Sequence, residues 1–331
     1  MVLLVLVLSK QGFFITLLKS TTQWRPTSIG GHGIVCRDFR GNLATDKVLF
    51  GFPGEIKIVI PGIFVVMLAG HMRSSFLRDA LEVPTVLLPL RRSATVLEAW
   101  LEILDEAFVS EVCIALNLGS DTHIIDTAIR SITRKRAFRS VVKTVLEPAA
   151  WRGPGGVIRD LTLDLEPDTI IVVVEGNSAP VSSARDVISA VQGGADGAVG
   201  VCDSNSPAGI SAFRRAIFEQ VPKIGYFDLK EQLLPALHDS SFQVRPVSVL
   251  RGSSRIHDRV SYLEAIGREL SVENQVVTYS KEQAQTVIAE TAVIDGKCLI
   301  ESGVSVGDEA VVHDSVILQG EIGRASCRER V

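Results

Sequence analysis

Leu68-Ala69-Gly70 ends an apolar run, and His71 and Arg73 stand in the segment that follows. Pro84 and Thr85 come next, then Leu87-Leu88-Pro89-Leu90. A strand that breaks at a glycine lets backbone N–H groups approach a phosphate or a base closely. An arginine in the loop beyond can offset phosphate charge. The order of these residues suggests a site for a nucleoside triphosphate. Two departures stand against it. The loop holds one glycine where such loops hold two or three, and no lysine follows it.

Strands and helices must alternate to place such a loop. Residues 63–68, IFVVML, read as a short, fully apolar strand. Residues 94–108 read as an amphipathic helix, because Val96, Leu97, Trp100, Leu101, Leu104 and Phe108 share one face at 3–4 spacing. Strands are predicted at 111–117, 169–176 and 197–202, and a helix closed by glycines at 184–194. Buried strands alternating with helices predict an α/β fold, a mostly parallel sheet with helices on both faces. Ligands in such sheets lie beyond the carboxyl ends of the strands. Leu68-Ala69-Gly70 and Glu175-Gly176-Asn177 are both ends of that kind.

Composition narrows the class. The chain has 331 residues, 46% hydrophobic and 22% charged, with a net charge of −4. That length suggests about two domains, and the apolar share can bury a sizeable core. No basic stripe interleaved with aromatics is present, so no nucleic-acid partner is expected. Cys36, Cys113, Cys202, Cys298 and Cys327 form no CxxC pair. Scattered thiols suit a reducing, cytoplasmic setting better than a disulfide framework or a zinc site. The apolar run Val2–Leu8 is too short to span a bilayer, and no membrane partner is expected.

The two ends and the C-terminal third differ from the middle. Residues 21–42 show no period of 2 or 3.6, and residues 1–60 read as a disordered or non-native extension, with a membrane anchor or cleaved signal as the alternative. Residues 323–331 are small and basic and read as a non-native tail. Between them lie an α/β domain at 61–275 and a repeat at 284–320. Ile288, Ile294, Ile300, Val306, Val312 and Leu318 recur every six residues. Mostly small residues stand two positions before each, from Thr286 to Val316. This period predicts a short β-solenoid, cut off by the tail.

An α/β nucleotide site followed by hexapeptide repeats resembles the sugar-1-phosphate nucleotidyltransferases. LAGHMR resembles their LAGG…TR loop, and VPTVLLPL their PKPLLP segment. TVLEAWLEIL is similar to the helix that follows, and RGPGGVIRDL at 152–161 to a GTAGALR element. Residues 208–237 resemble the GIYLF…FDLKEDLLP run, and SYLEAIGREL the helix before the repeats. The likeness spans about 63–320 and rests on the order of the motifs. It implies the fold of nucleotide-diphospho-sugar transferases with a left-handed parallel β-helix appended.

The resemblance implies a reaction. A sugar 1-phosphate oxygen attacks the α-phosphorus of a nucleoside triphosphate, and pyrophosphate leaves as an NDP-sugar forms. Catalysis there is chiefly alignment and charge neutralisation, with magnesium held by aspartates. Carried onto this sequence, Leu68, Ala69, Gly70, His71, Gly155 and Gly156 would bind the nucleotide, and Arg73 would be the catalytic cation. Gly209, Lys230 and Glu231 would contact the sugar. Asn177 stands where a metal-binding aspartate is found, and Arg255 where a second one is. Thr85 replaces a lysine, Ser211 a tyrosine, and residues 201–209 are too few for a Glu-Lys-Pro element. Asp203 and Asp228 are the nearest spare carboxylates. Two outcomes stay open: an enzyme working through a modified site, or a catalytically weak or inactive relative that binds a nucleotide or sugar nucleotide. Magnesium would be the cofactor of the first. Homo-oligomerisation through the repeats is a further expectation.

Overall fold

Runs of apolar residues too short for helices pair side by side into a seven-stranded sheet. The architecture is that of a computed structural model. It describes residues 62–70, 83–91, 94–117, 120, 122–202, 206–249, 255–272 and 286–318. The backbone strands at 3–9, 12–18, 25–30, 33–37, 277–279 and 322–323 are described as well. Residues 1–61 and 62–331 form two units. In the first, β1 (Leu3–Ser9) pairs antiparallel with β2 (Gly12–Leu18), and β3 (Arg25–Gly30) with β4 (Gly33–Arg37).

The second unit opens with β5 (Ile63–Leu68). A tight turn at Thr85–Leu87 leads to the small ladder of β6 (Pro89–Arg91) and β7 (Ala94–Thr95). Helix α1 (Val96–Glu106) starts under Thr95, whose hydroxyl accepts the N–H of Glu98. Then come β8 (Glu111–Leu116), α2 (Thr122–Lys135), β9 (Val141–Leu146) and α3 (Gly153–Thr162). β10 (Ile170–Glu175), α4 (Arg185–Gln192), β11 (Gly197–Val201) and β12 (Pro207–Arg214) follow. Last are a wide helical turn at Leu229–Leu233, α5 (Leu234–His238), β13 (Val244–Ser248) and α6 (Arg259–Val272).

The sheet runs β13-β11-β12-β10-β5-β8-β9. Only β12 is antiparallel to its neighbours, so the expectation of a mostly parallel sheet holds. Side chains of β5 alternate between two cores. Val65 and Met67 pack with Trp100, Leu104, Ile129, Ile188 and Ile266, on the face covered by α1, α2, α4 and α6. Phe64 and Val66 pack with Val157, Phe218, Leu233 and Leu237 on the other face. Burial on both faces is why these strands are continuously apolar rather than alternating. The chain steps from β5 to β8 to β9 in one direction, then crosses to β10 on the other side of β5. The crevice above the β5 and β10 ends is therefore the topological switch point.

Beyond α6 the strands are short and all pair in parallel. They are β14 (Val277–Tyr279), β15 (Val287–Ile288), β16 (Val293–Asp295) and β17 (Cys298–Ile300). β18 (Ser305–Val306), β19 (Val311–His313), β20 (Val316–Ile317) and β21 (Ile322–Gly323) complete them. Ile288 faces Val306 and Ile294 faces Val312, three hexads on in each case. The sixth position departs from the sequence period. Ile300 faces Ile317, not Leu318, so one residue is lost from the last turn.

Cys298, Ile300, Val304, Val306, Ala310 and Val312 bury one another, while Leu299 belongs to the core of the α/β sheet. The repeat segment therefore packs on the α/β domain, as a stack this short requires. Removing residues 286–331 is expected to lower stability by at least about 2 kcal/mol, the low end for losing one buried leucine. Thermal unfolding followed by circular dichroism checks this, and an unchanged melting temperature contradicts it.

Candidate functional site

Gly70 lies at the carboxyl end of β5, where the N–H groups of Ala69 and Gly70 both donate to the Ala115 carbonyl, at 2.9 and 3.0 Å. Any larger residue here would have to displace the Asn117 side chain. A Cβ on residue 70 would stand 2.0 Å from Asn117 Oδ1. The missing side chain lets Asn117, just past the end of β8, lie against the β5 turn.

Leu68, Gly70, Ala115 and Asn117 form one side of a cleft of about 260 Å³. Glu147, Trp151, Gly153 and Pro154 are on its other side. Trp151 is 76% exposed and offers an aromatic surface at the rim. Burial holds the Glu147 carboxyl above its ordinary pKa. The cleft is thus lined by apolar surface and a few directional polar groups, the usual make-up of a small-molecule site.

The RGPGG stretch is the start of α3, with Pro154 in its first turn where no N–H is needed. Gly153 and Pro154 line the cleft, but Gly155 and Gly156 serve packing. The Gly155 N–H donates to the Phe227 carbonyl at 3.0 Å, and a Cβ on Gly156 would stand 3.0 Å from Arg152 Cζ. Arg152 is buried. It bonds Asp160 through Nε at 2.7 Å and Nη2 at 3.2 Å, and it donates to the carbonyls of Gly225 and Pro222. The start of α3 is thereby tied to the 222–227 segment.

A second group of residues surrounds Glu175 at the end of β10, beside Leu68 in the parallel register. Lys230 Nζ is 2.5 Å from one Glu175 oxygen and an Arg255 Nη 2.6 Å from the other. Desolvation alone would raise the Glu175 carboxyl. The Lys230 charge and the Arg255 hydrogen bond outweigh it and hold the group below the ordinary glutamate value. Asp228 caps the turn that presents Lys230, its Oδ1 accepting the N–H groups of Lys230 and Glu231 at 2.7 and 2.8 Å. Gly209, Glu175 and Lys230 line a small hollow of about 30 Å³, and Glu231 is not among its lining residues.

Asn177 and Arg255, the two positions where the resembled family carries metal aspartates, do come together. Ser178 bridges Arg255 antiparallel, and the Ile256 N–H donates to the Asn177 carbonyl at 2.6 Å. Magnesium wants hard oxygen donors in an octahedral set. Here both Glu175 oxygens are engaged by cations, the Asn177 backbone oxygen holds an N–H, and a guanidinium stands alongside. These residues do not fit a divalent cation. Among the described residues, no cluster of three or more His, Cys, Asp or Glu is gathered.

Thr85 is 2% exposed and is not among the residues lining the cleft. His71, Arg73 and Asp203 lie outside the described residues. Sequence reasoning passed over Asn117, Glu147 and Trp151, and named Glu175 only as part of a strand end. The signal available for Asn117 and Glu175 was their place at the ends of apolar strands. Cys113, Cys202 and Cys298 are buried free thiols, and burial pushes Cys113 up to about 11. Among the described residues, no helix is long and apolar enough to cross a membrane.

No protein-family profile matches the chain, and no curated protein matches it. Among solved structures it is similar to HddC from Yersinia pseudotuberculosis, at 16% identity and a TM-score of 0.49. That match covers 62% of this chain and 99% of the other. HddC complexed with GMP-PN gives 16% identity and a TM-score of 0.47, over 62% of this chain and 99% of the other. A 4-diphosphocytidyl-2C-methyl-D-erythritol synthase from Anaerococcus prevotii gives 12% and 0.45, over 63% of this chain and 96% of the other. Likenesses this distant assign no activity to this chain.

Proposed function

We propose that this chain is a nucleotidyltransferase-like protein that binds a nucleotide or sugar nucleotide in the cleft between Gly70 and Trp151. The observation carrying this reading is the cleft's position. It opens beside the switch point of a mostly parallel sheet, where the β5 turn, Asn117 and the start of α3 converge. An indole rim suits stacking on a base. The Asn117 amide and the Glu147 carboxyl suit hydrogen bonds to its edge.

Of the two outcomes the sequence left open, the weakly active or inactive binder is favoured over the transferase. Glu175 paired to Lys230 and Arg255, with Asn177 beside them, supports it, because transfer from a triphosphate to a sugar 1-phosphate needs carboxylates for magnesium. Thr85 supports it too. The position is buried, so Thr85→Lys would place an ammonium in the core rather than restore a charge to the cleft.

We also infer that the parallel pairs at 287–323 are coils of a left-handed β-helix through which two copies of the chain associate. The six-residue period and the exposed Val287, Val293 and Val311 support this.

The test of function pairs two assays on the full chain. Thermal shifts with the four common nucleoside diphosphates should show stabilisation by at least one of them. Pyrophosphate release from nucleoside triphosphates with sugar 1-phosphates and magnesium should be at background. Robust turnover would replace the binding reading with the transferase. The absence of any shift would remove both.

A further inference from the structure

The charged group at the end of β10 is built for an anion. Two cations meet one carboxylate, so the trio carries one net positive charge. The side chains of Lys230 and Arg255 are 40% and 55% exposed, that of Glu175 only 17%. The cationic heads are therefore the accessible part. Three separate segments hold them: the capped turn at 229–233, the end of β10, and the bridge from Arg255 to Ser178. Gly209 and Pro207 line the hollow beside Glu175 and Lys230. Gly176 donates its N–H to Leu68, which joins this group to the strand end that lines the larger cleft.

We propose that Lys230 and Arg255 bind the diphosphate of the ligand without a divalent metal, and that Glu175 is an internal counter-ion which the diphosphate displaces. This rests on the cleft being a nucleotide site. A guanidinium supplies a planar pair of N–H donors matched to two phosphate oxygens, and an ammonium adds a mobile point charge. Together they can offset the charge that a metal otherwise neutralises. In the free protein the Glu175 carboxylate takes both cations. Exchange of one anion for another on the same donors needs no change of fold. Because the cations are half exposed, the interaction should weaken with salt.

Isothermal titration of the full chain tests this, with inorganic pyrophosphate and with ADP, GDP, CDP and UDP, each in excess EDTA and again with magnesium. The expected result is binding in EDTA. Magnesium should leave the affinity equal or weaker, because it complexes the phosphates in solution. Arg255→Gln should weaken binding roughly tenfold or more, the scale of one charged hydrogen bond. Arg255→Lys should recover part of that. Glu175→Gln should bind more tightly than the native chain, because the competing carboxylate is gone; a purely structural Glu175 would not give a gain. Binding seen only with magnesium would overturn the proposal and leave the nucleotide cleft standing. Unchanged affinity in Arg255→Gln, or weaker binding in a folded Glu175→Gln, would overturn it as well. No binding under either condition would remove both the proposal and the cleft's assignment.

Discussion

Trp100→Ala is expected to cost about 3–5 kcal/mol, the range for deleting a fully buried large aromatic. The indole is fully buried in the core beneath β5 and β10. It does more than fill space, because its Nε1 donates to the Ser178 carbonyl at 2.8 Å. Ser178 in turn bridges Arg255, so the tryptophan holds the segment that carries the charged group. Trp100→Phe separates the two roles. It keeps most of the packing but leaves a buried carbonyl without its donor, at about 1–3 kcal/mol. Chemical denaturation measures both variants. Pyrophosphate affinity should fall in Trp100→Phe although the substitution touches no ligand. An unchanged affinity would mean the 176–178 segment is held by other contacts.

Arg152→Met is expected to cost about 3–5 kcal/mol, because it breaks a buried ion pair and strips two buried carbonyls of their donor. Asp160 would keep only Arg159, 2.7 Å away, and the Gly225 and Pro222 carbonyls would lose their donor. The double variant Arg152→Met with Asp160→Leu should recover part of the loss. The pair also sets an acid limit. Desolvation by itself raises the Asp160 carboxyl, but hydrogen bonds from Arg152 and Arg159 bring it below its ordinary value. A folded-state pKa below the unfolded one means the stabilisation is complete above about pH 4, the ordinary aspartate value. It is lost as pH falls through the folded value. Stability measured against pH should therefore drop in acid for the native chain, and less so for Arg152→Met. Parallel acid limbs in the two proteins would show that the pair does not carry this dependence.

The strands that bear the site were legible because they are buried on both faces. IFVVML, EVCIAL and IIVVVE are unbroken apolar runs, and each observed strand lies within a residue of its predicted limits. β9 at Val141–Leu146 was not readable this way, because an edge strand half open to solvent carries Lys143 and Thr144 in the run. β12 gave no strand signal of its own either, with Gly209 at φ +74° inside it. The RGPGG stretch looks like a loop by composition, yet a proline in the first turn is also a helix start. In the repeat, five of six aliphatic positions fall in paired strands. The sixth slips because register is set by pairing with the neighbouring strand, not by counting along the chain.

The site was legible only as strand ends. Glycine at 70 and 176 marked them correctly. What gathers around them comes from far away in sequence. Arg255 reaches Glu175 across 80 residues, and that pairing has no local pattern. The resemblance gave Arg255 meaning only as a residue out of place. In the folded chain it shares the Glu175 carboxylate with Lys230.

Hydrogen exchange of the full chain, alone and with each of ADP, GDP, CDP and UDP at saturation, tests most directly whether a nucleotide occupies the cleft beside the switch point. The expected result, for at least one ligand, is slowed exchange in peptides covering 68–70, 115–117 and 147–157, with the repeat at 286–318 unchanged. Protection confined to the repeat, or no protection by any of the four, would contradict it.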